Sequence, residues 1–207
     1  MKKILRLAST RKAFIPQFCL SKYFVIFLAT YCISLLPLAV AAQQSTPAPA
    51  GQHDGQHDFD FDLGTWKTHI RRLQHPLTGS TIWVEAKGTV AIRKVWDGRA
   101  QLEEIEADSP TGHWESLTLF LYNAEAHQWN INFTNSSSAT FGTPCVGEFK
   151  NGIGEFYSQD TINGRVILVR VTWSDIKPDT HKFEQAFSDN GGKTWETNFV
   201  ANLERIK

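Results

Sequence analysis

From residue 59 onward apolar and polar residues alternate in short runs, and each run stops at a cluster of Gly, Pro, Asn, Asp or Ser. A period of two is the signature of a half-buried β-strand, whose successive side chains face opposite sides of a sheet. After a short turn carrying Phe59, Phe61 and Leu63, the pattern predicts a first strand over 66–73. The second covers 81–96, with Gly88 read as a bulge or bend, since a glycine inside a strand pattern marks one. Asp97-Gly98 is a hairpin signal and leads into a third strand over 99–107, which Ser109, Pro110 and Gly112 bring to an end.

The fourth and fifth strands, 114–122 and 128–135, flank the short turn NAEAH, and a loop over 136–141 follows. Asn151-Gly152 separates runs at 146–150 and 154–160, and Asn163-Gly164 opens the most apolar run, RVILVRVTW at 165–173. A ninth strand over 181–187, the turn SDNGGK and a last strand over 195–206 complete the chain. No helix-period segment of any length interrupts the pattern in 59–207. A meander of roughly ten antiparallel strands is too long to stay open and flat, so the expected fold is all-β, closed into a barrel.

The N-terminus follows a different pattern. Residues 1–42 hold six Lys or Arg and no Asp or Glu, and end in the apolar run YFVIFLATYCISLLPLAVAA. A basic segment, an apolar segment and small residues at the exit make a secretory signal peptide, and Pro37 with the alanines after it favours cleavage near Ala41 or Ala42 over a retained anchor. Residues 43–58, rich in Pro, Ala, Gly and Gln, read as a disordered linker, and 59–207 as one barrel domain. The linker repeats GQHD at 51–54 and 55–58; His53, Asp54, His57 and Asp58 on a solvated segment lack the fixed geometry of a metal site.

Removing the leader changes the charge. The whole chain has 21 basic and 21 acidic residues, and the exported part keeps 21 − 6 = 15 basic against 21 acidic. An acidic surface without clustered Lys and Arg gives no footprint for nucleic acid or an anionic membrane. Cys19 and Cys32 depart with the leader, leaving Cys145 without a partner for an intrachain disulfide. The predicted location is periplasmic or extracellular, and the oligomeric state is left open.

Two motifs bracket the domain, FDFDLGTW at 59–66 and SDNGGKTWETNFVANLER at 188–205, with DGRAQLEEIE and WESLTLFLYN between them. Together they resemble an uncharacterised family of secreted bacterial proteins that open with FDFxxGxW and close with DGGKTW and a terminal Arg. That resemblance implies a calycin-like, lipocalin-like barrel, in which Gly64 approaches the base closely, Trp66 plugs it and Arg205 packs over Trp66. The stretch SDNGGKTW also nearly spells the Asp-box hairpin of sialidases. It places Asn190 at the aspartate position and occurs once, which fits a turn and not a glycosidase.

Strand alternation singles out candidate binding residues. Arg170 stands among apolar neighbours, Gln185 shares a face with His181, Phe183 and Phe187, and Glu104 sits on the third strand with Leu102 and Glu106. The expectation is that Glu104, Arg170 and Gln185 meet inside the barrel with Tyr122 or Tyr157 to orient a small hydrophobic or amphipathic molecule, the alternative being an ordinary Glu104–Arg170 ion pair. An enzyme, hydrolase or isomerase, would use the same polar groups and require a perturbed titratable side chain. Haem held by His69, His113 or His127 is a third reading. No motif calls for a cofactor or a metal, and Cys145 in TPCVG lacks the His partner of a nucleophile. Of the seven tryptophans most read as core.

Overall fold

The structure, a computed structural model, describes residues 54–207. The predicted leader, its cleavage site, most of the linker and His53 lie outside the described residues. Ten strands follow in chain order: β1 (Gly64–Leu73), β2 (Trp83–Val95), β3 (Ala100–Ser109), β4 (Gly112–Asn123) and β5 (Gln128–Asn135), then β6 (Cys145–Lys150), β7 (Ile153–Ile162), β8 (Arg165–Lys177), β9 (Thr180–Ser188) and β10 (Glu196–Arg205). Each pairs antiparallel with its neighbours in sequence, and β1 pairs with β10, so the sheet closes on itself and has no free edge. The only helical pieces among the described residues are two short 3₁₀ turns, Asp60–Asp62 and Trp96–Gly98.

The turn chemistry explains the meander. Asn151-Gly152 and Asn163-Gly164 both take left-handed backbone angles, φ of 53° and 77° and of 51° and 77°, which two-residue hairpins require to match the twist of their strands. Along β8, Ile167, Val169, Val171 and Trp173 all point inward and are buried, while Val166, Leu168, Arg170 and Thr172 point out. Gly88 is not a bulge. It pairs in unbroken register with Thr68 and Ala107, and a Cβ there would lie 1.9 Å from the carbonyl oxygen of Glu106. The glycine therefore serves close approach of β2 to β3 in a tightly bent sheet. A true register shift falls elsewhere, between Thr197 and Phe199 of β10.

One end of the barrel, which we call the base, is closed by the chain leading into β1. Phe59 is fully buried and its ring touches those of Phe120, Trp129, Phe149, Phe156 and Trp173 at centroid distances of 4.8 to 5.6 Å. The plug begins earlier than the predicted domain start. Gly55 is buried and its carbonyl accepts a hydrogen bond from the Trp129 indole N–H at 2.9 Å, so the end of the predicted linker is structured. Trp66 donates to the Asp62 carbonyl at 2.7 Å, and the Arg205 guanidinium lies 3.9 Å from the Trp66 ring centre. Arg205 also donates to the carbonyls of Phe61, Leu63 and Pro178, tying the last strand to the plug and to the loop before β9. Gly64, at φ 118°, has no room for a side chain, because a Cβ would sit 2.8 Å from Arg205 Nη1.

The SDNGGKTW turn lies at the opposite end, the mouth, with the full length of β10 between it and the Trp66–Arg205 contact. Gly191 and Gly192 take positive φ, while Asn190 works through its side chain. Its Oδ1 accepts from Ser188 Oγ and Thr194 N, and its Nδ2 donates to Thr194 Oγ1. Trp195 then packs on the outer surface, against Arg170 and Tyr157.

Candidate functional site

The mouth holds a cavity of about 360 Å³, in the lower part of the range for ligand sites. Its lining includes the inward side chains of Ile162, Gln185, Phe187 and Phe199, together with Arg72, Asn198 and the loop that follows β1. Register explains the grouping. Arg72 pairs with Phe199, and Phe199 with Gln185, so the three stand side by side on the inner face of β1, β10 and β9.

Asn198 enters this group through the bulge. Alternation counted back from Leu203 and Ala201 places Phe199 inward and Asn198 outward, but the extra residue in β10 turns Asn198 inward beside Phe199. Asn198 is 4% exposed, and its Nδ2 has no hydrogen-bond partner. A buried amide N–H left unpaired costs about 1 to 3 kcal/mol, so such a group calls for an explanation. The exposed Arg72 side chain makes no hydrogen bond or ion pair among the described residues, although it lines the same cavity. Both residues line the cavity, with the Asn198 Nδ2 itself sealed from solvent.

The 74–82 loop lies across this end. Leu77 packs against the buried cluster of the barrel interior, and its backbone N–H donates to Glu196 Oε2 on β10. His75 and Leu77 both take positive φ, 52° and 63°, a conformation that costs a non-glycine residue about 1 to 2 kcal/mol. The loop is thus held closed by specific contacts against a backbone cost.

A second polar group lies deeper, at the base. Glu103 is buried on the inner face of β3, and Thr118 Oγ1 donates to its Oε1 at 2.6 Å. Burial first and the nearby Asp62 second push its acid up to about 8, against which the Thr118 hydrogen bond acts, so Glu103 is mostly protonated at neutral pH. Asp62, fully buried in the plug, has Oδ1 3.1 Å from His181 Nε2, an ion-pair contact outside hydrogen-bond geometry. The His181 ring makes edge contacts with Trp66 at 4.6 Å and Phe61 at 5.3 Å. This cluster joins the plug to β3, β4 and β9, and none of Asp62, Glu103 and Thr118 lines the mouth cavity.

The residues singled out from sequence divide among three places. Gln185 lines the mouth cavity. Tyr122 faces inward at the base, 5.2 Å from Trp129, with its hydroxyl 3.3 Å from His127 Nδ1. Glu104, Tyr157 and Arg170 lie on the outer face: Glu104 is exposed, and Arg170 stacks over Trp195 at 4.7 Å beside Tyr157. The expected meeting of Glu104, Arg170 and Gln185 inside the barrel, and equally the Glu104–Arg170 ion pair, does not form. Parity is the reason, because Glu103 takes the inward position on β3, and Val169 and Val171 take it on β8. Of the three histidines read as alternative haem ligands, His69 stands against Glu85, His113 against Asp108 and His127 at the base, and none of them lines the mouth cavity.

Sequence reasoning missed Arg72, Asn198 and Glu103. Alternation sufficed for Glu103, once Ala107 and Ile105 fixed the inward phase of β3. Asn198 carried no signal, since a bulge shifts the phase within one strand.

No family model matches the chain, and no curated protein matches it. Among solved structures the chain is similar to the S-type phycobiliprotein lyase CPES from Guillardia theta, with a TM-score of 0.50 and 12% identity over 73% of this chain and 92% of that one. It is also similar to a de novo designed fluorescence-activating β-barrel, with a TM-score of 0.39 and 13% identity over 75% of this chain and 100% of the design. At such identities the likeness to the lyase is one of fold.

Proposed function

We propose that this is an exported β-barrel that binds a small hydrophobic or amphipathic molecule in the cavity at its mouth, without chemistry on it. The observation that carries the reading is the space at the mouth, lined by the rings of Phe187 and Phe199 and bordered by Gln185 and by Asn198, which a bulge turns inward. A barrel filled to its rim leaves no such space, whereas a bound molecule of matching size fills it. The motifs at either end of the domain, which resemble those of a secreted family, and the leader-like first 42 residues support export.

The enzyme reading has less behind it. Glu103 meets the requirement for a perturbed acid, but it is 8% exposed, sealed beneath the plug, and away from the mouth. Cys145, whose thiol burial pushes up, is hydrogen-bonded to Ser158 Oγ at 3.2 Å and is a poor nucleophile.

Titration of the full-length protein with the neutral fluorophore N-phenyl-1-naphthylamine tests the reading. Saturable 1:1 binding that weakens at least about tenfold in Phe199→Ala, with the melting temperature of that variant followed in parallel, is the expected result. Absence of saturable binding, or binding indifferent to both Phe199→Ala and Phe187→Ala, overturns it.

A further inference from the structure

On the outer wall beside the base, a groove of about 650 Å³ runs over five neighbouring strands, β8, β9, β10, β1 and β2. The outside of a barrel is convex, so such a groove needs a strand that leaves the curve. β8 does so: its pairing with β9 shifts register between Ser174 and Lys177, and Asp175 there takes φ 53°. Pairing sets the outward side chains in rows across the strands. Lys87, His69, Asn202 and Lys182 form one row from β2 to β9, and Lys67 and Glu204 belong to the next. Lys177 and these three lysines share the lining with only two carboxylates, Asp175 and Glu204, although the exported part of the chain is acidic. Asp175 and Glu184 hold Lys182 at 3.7 and 3.0 Å, while the side chains of Lys67, Lys87, Lys177 and Glu204 make no hydrogen bond or ion pair among the described residues.

We propose that this groove is a second binding site, separate from the mouth, and that its ligand is an acidic oligosaccharide, a short chain of hydroxylated rings bearing carboxylates. Neighbouring strands lie about 4.8 Å apart, so Lys87 and Lys182, three strands apart in one row, stand about 14 Å from each other at the backbone. One small anion does not reach both, whereas an extended chain with a charge on each ring does. Exposed ion pairs are individually weak, so binding comes from several made together. Glu204 and Asn202 narrow the class further. A carboxylate without a partner repels a chain made only of acceptors, such as polyphosphate, and accepts hydrogen bonds from hydroxyl groups. The Asn202 amide serves hydroxyl groups in either direction. No Phe, Tyr or Trp lines the groove, so it lacks the stacking platforms on which single-stranded nucleic acid binds.

The test is calorimetric titration of the full-length protein at pH 7 with hexamers of galacturonate and of mannuronate, against neutral maltohexaose and against linear polyphosphate and oligothymidylate matched to the hexamers in charge. The expected result is saturable binding of at least one uronate hexamer in about 20 mM salt, weakened about tenfold or more in about 0.3 M salt. Maltohexaose and the two phosphate polymers should each bind at least about fivefold more weakly than that hexamer. Lys67→Ala combined with Lys87→Ala should weaken the uronate about tenfold or more. Both side chains are exposed and unpaired, so the double variant keeps its fold, which an unchanged melting temperature verifies. No saturable binding of either uronate overturns the proposal, as does equal binding of the neutral hexamer. Phosphate polymers that bind as tightly as the uronate also overturn it, because the groove then acts as an unselective positive surface. Uronate binding indifferent to the double substitution places the ligand elsewhere and overturns it too. None of these outcomes depends on whether the mouth binds a molecule of its own.

Discussion

The two ends of the barrel are made from the same ten strands and solve opposite problems. At the base, Phe59 fills the interior with ring-to-ring contacts, Arg205 is bonded to three carbonyls, and Trp66 lies beneath the guanidinium. At the mouth a cavity remains, an arginine and a buried amide have no partner, and a loop with two strained residues lies across the opening. Dense ring packing makes the base the part that holds the fold, although Asp62, Gln101 and His181 there keep buried polar atoms without partners, and the cavity makes the mouth the part with room for a ligand. Substitutions at the base should therefore change stability, while those at the mouth should change binding.

Phe59→Ala gives the largest effect. It removes the ring against which five others pack, and a loss of about 3 to 5 kcal/mol in urea unfolding is expected. A loss under about 1 kcal/mol would mean that the plug does not hold the base and would remove the contrast. Glu103→Gln should act nearly as strongly and in the other direction. Glu103 holds a proton up to about pH 8 when folded, and gives it up near its ordinary 4.5 when unfolded. Between these values the folded state binds more protons, so the contribution of this group to stability falls as pH rises from about 4.5 to about 8. Each pH unit within that window costs about 1.4 kcal/mol, so at pH 7 the uncharged glutamine should stabilise the protein by on the order of 3 kcal/mol. At pH 4 the gain should vanish. Urea midpoints of both proteins at pH 4, 7 and 9 measure it, and parallel pH profiles would show that Glu103 is not a buried, protonated acid.

Why the base was legible in the sequence and the mouth was not follows from how each is built. Strand order, the Asn-Gly hairpins and the Trp66–Arg205 contact depend on local pattern, turn residues and a motif at either end of the domain, all of which survive in one dimension. Alternation groups Glu104 with Leu102 and Glu106 but does not say which face of β3 is inward; Gln101, Glu103, Ile105 and Ala107 take that face. An error of one residue exchanges the faces of a strand. Asn198 depends on a bulge and Arg72 on a cross-strand row that no single strand displays. The site lives in register, and register is tertiary information.

Arg205→Gln tests the base from its other side. It removes the stacking over Trp66 and charge-assisted bonds to Phe61 and Leu63, and a loss of about 2 kcal/mol is expected, with the Trp66 environment changed in near-ultraviolet circular dichroism. Asn190→Ala probes the best-satisfied piece of the mouth, the turn between β9 and β10. Losing the Asn190 bonds to Ser188 and Thr194 should lower stability by about 1 kcal/mol, without altering ligand affinity more than about twofold. A larger loss would place the mouth turn among the elements that hold the fold.

Asn198→Leu carries the smallest stability effect and the clearest meaning. Leucine has the branched outline of asparagine and no polar side-chain atoms, so the substitution removes a buried donor that has no partner instead of breaking a bond. Deleting an unsatisfied group is neutral or stabilising, whereas deleting a satisfied one exposes its partner to a loss of about 1 to 3 kcal/mol. Thermal unfolding of the free protein should thus change by less than about 1 kcal/mol, with any change upward. A marked drop in the stability of the free protein would show that the Asn198 amide is already bonded within the barrel. The contrast between a filled base and an open mouth would then rest on the cavity alone.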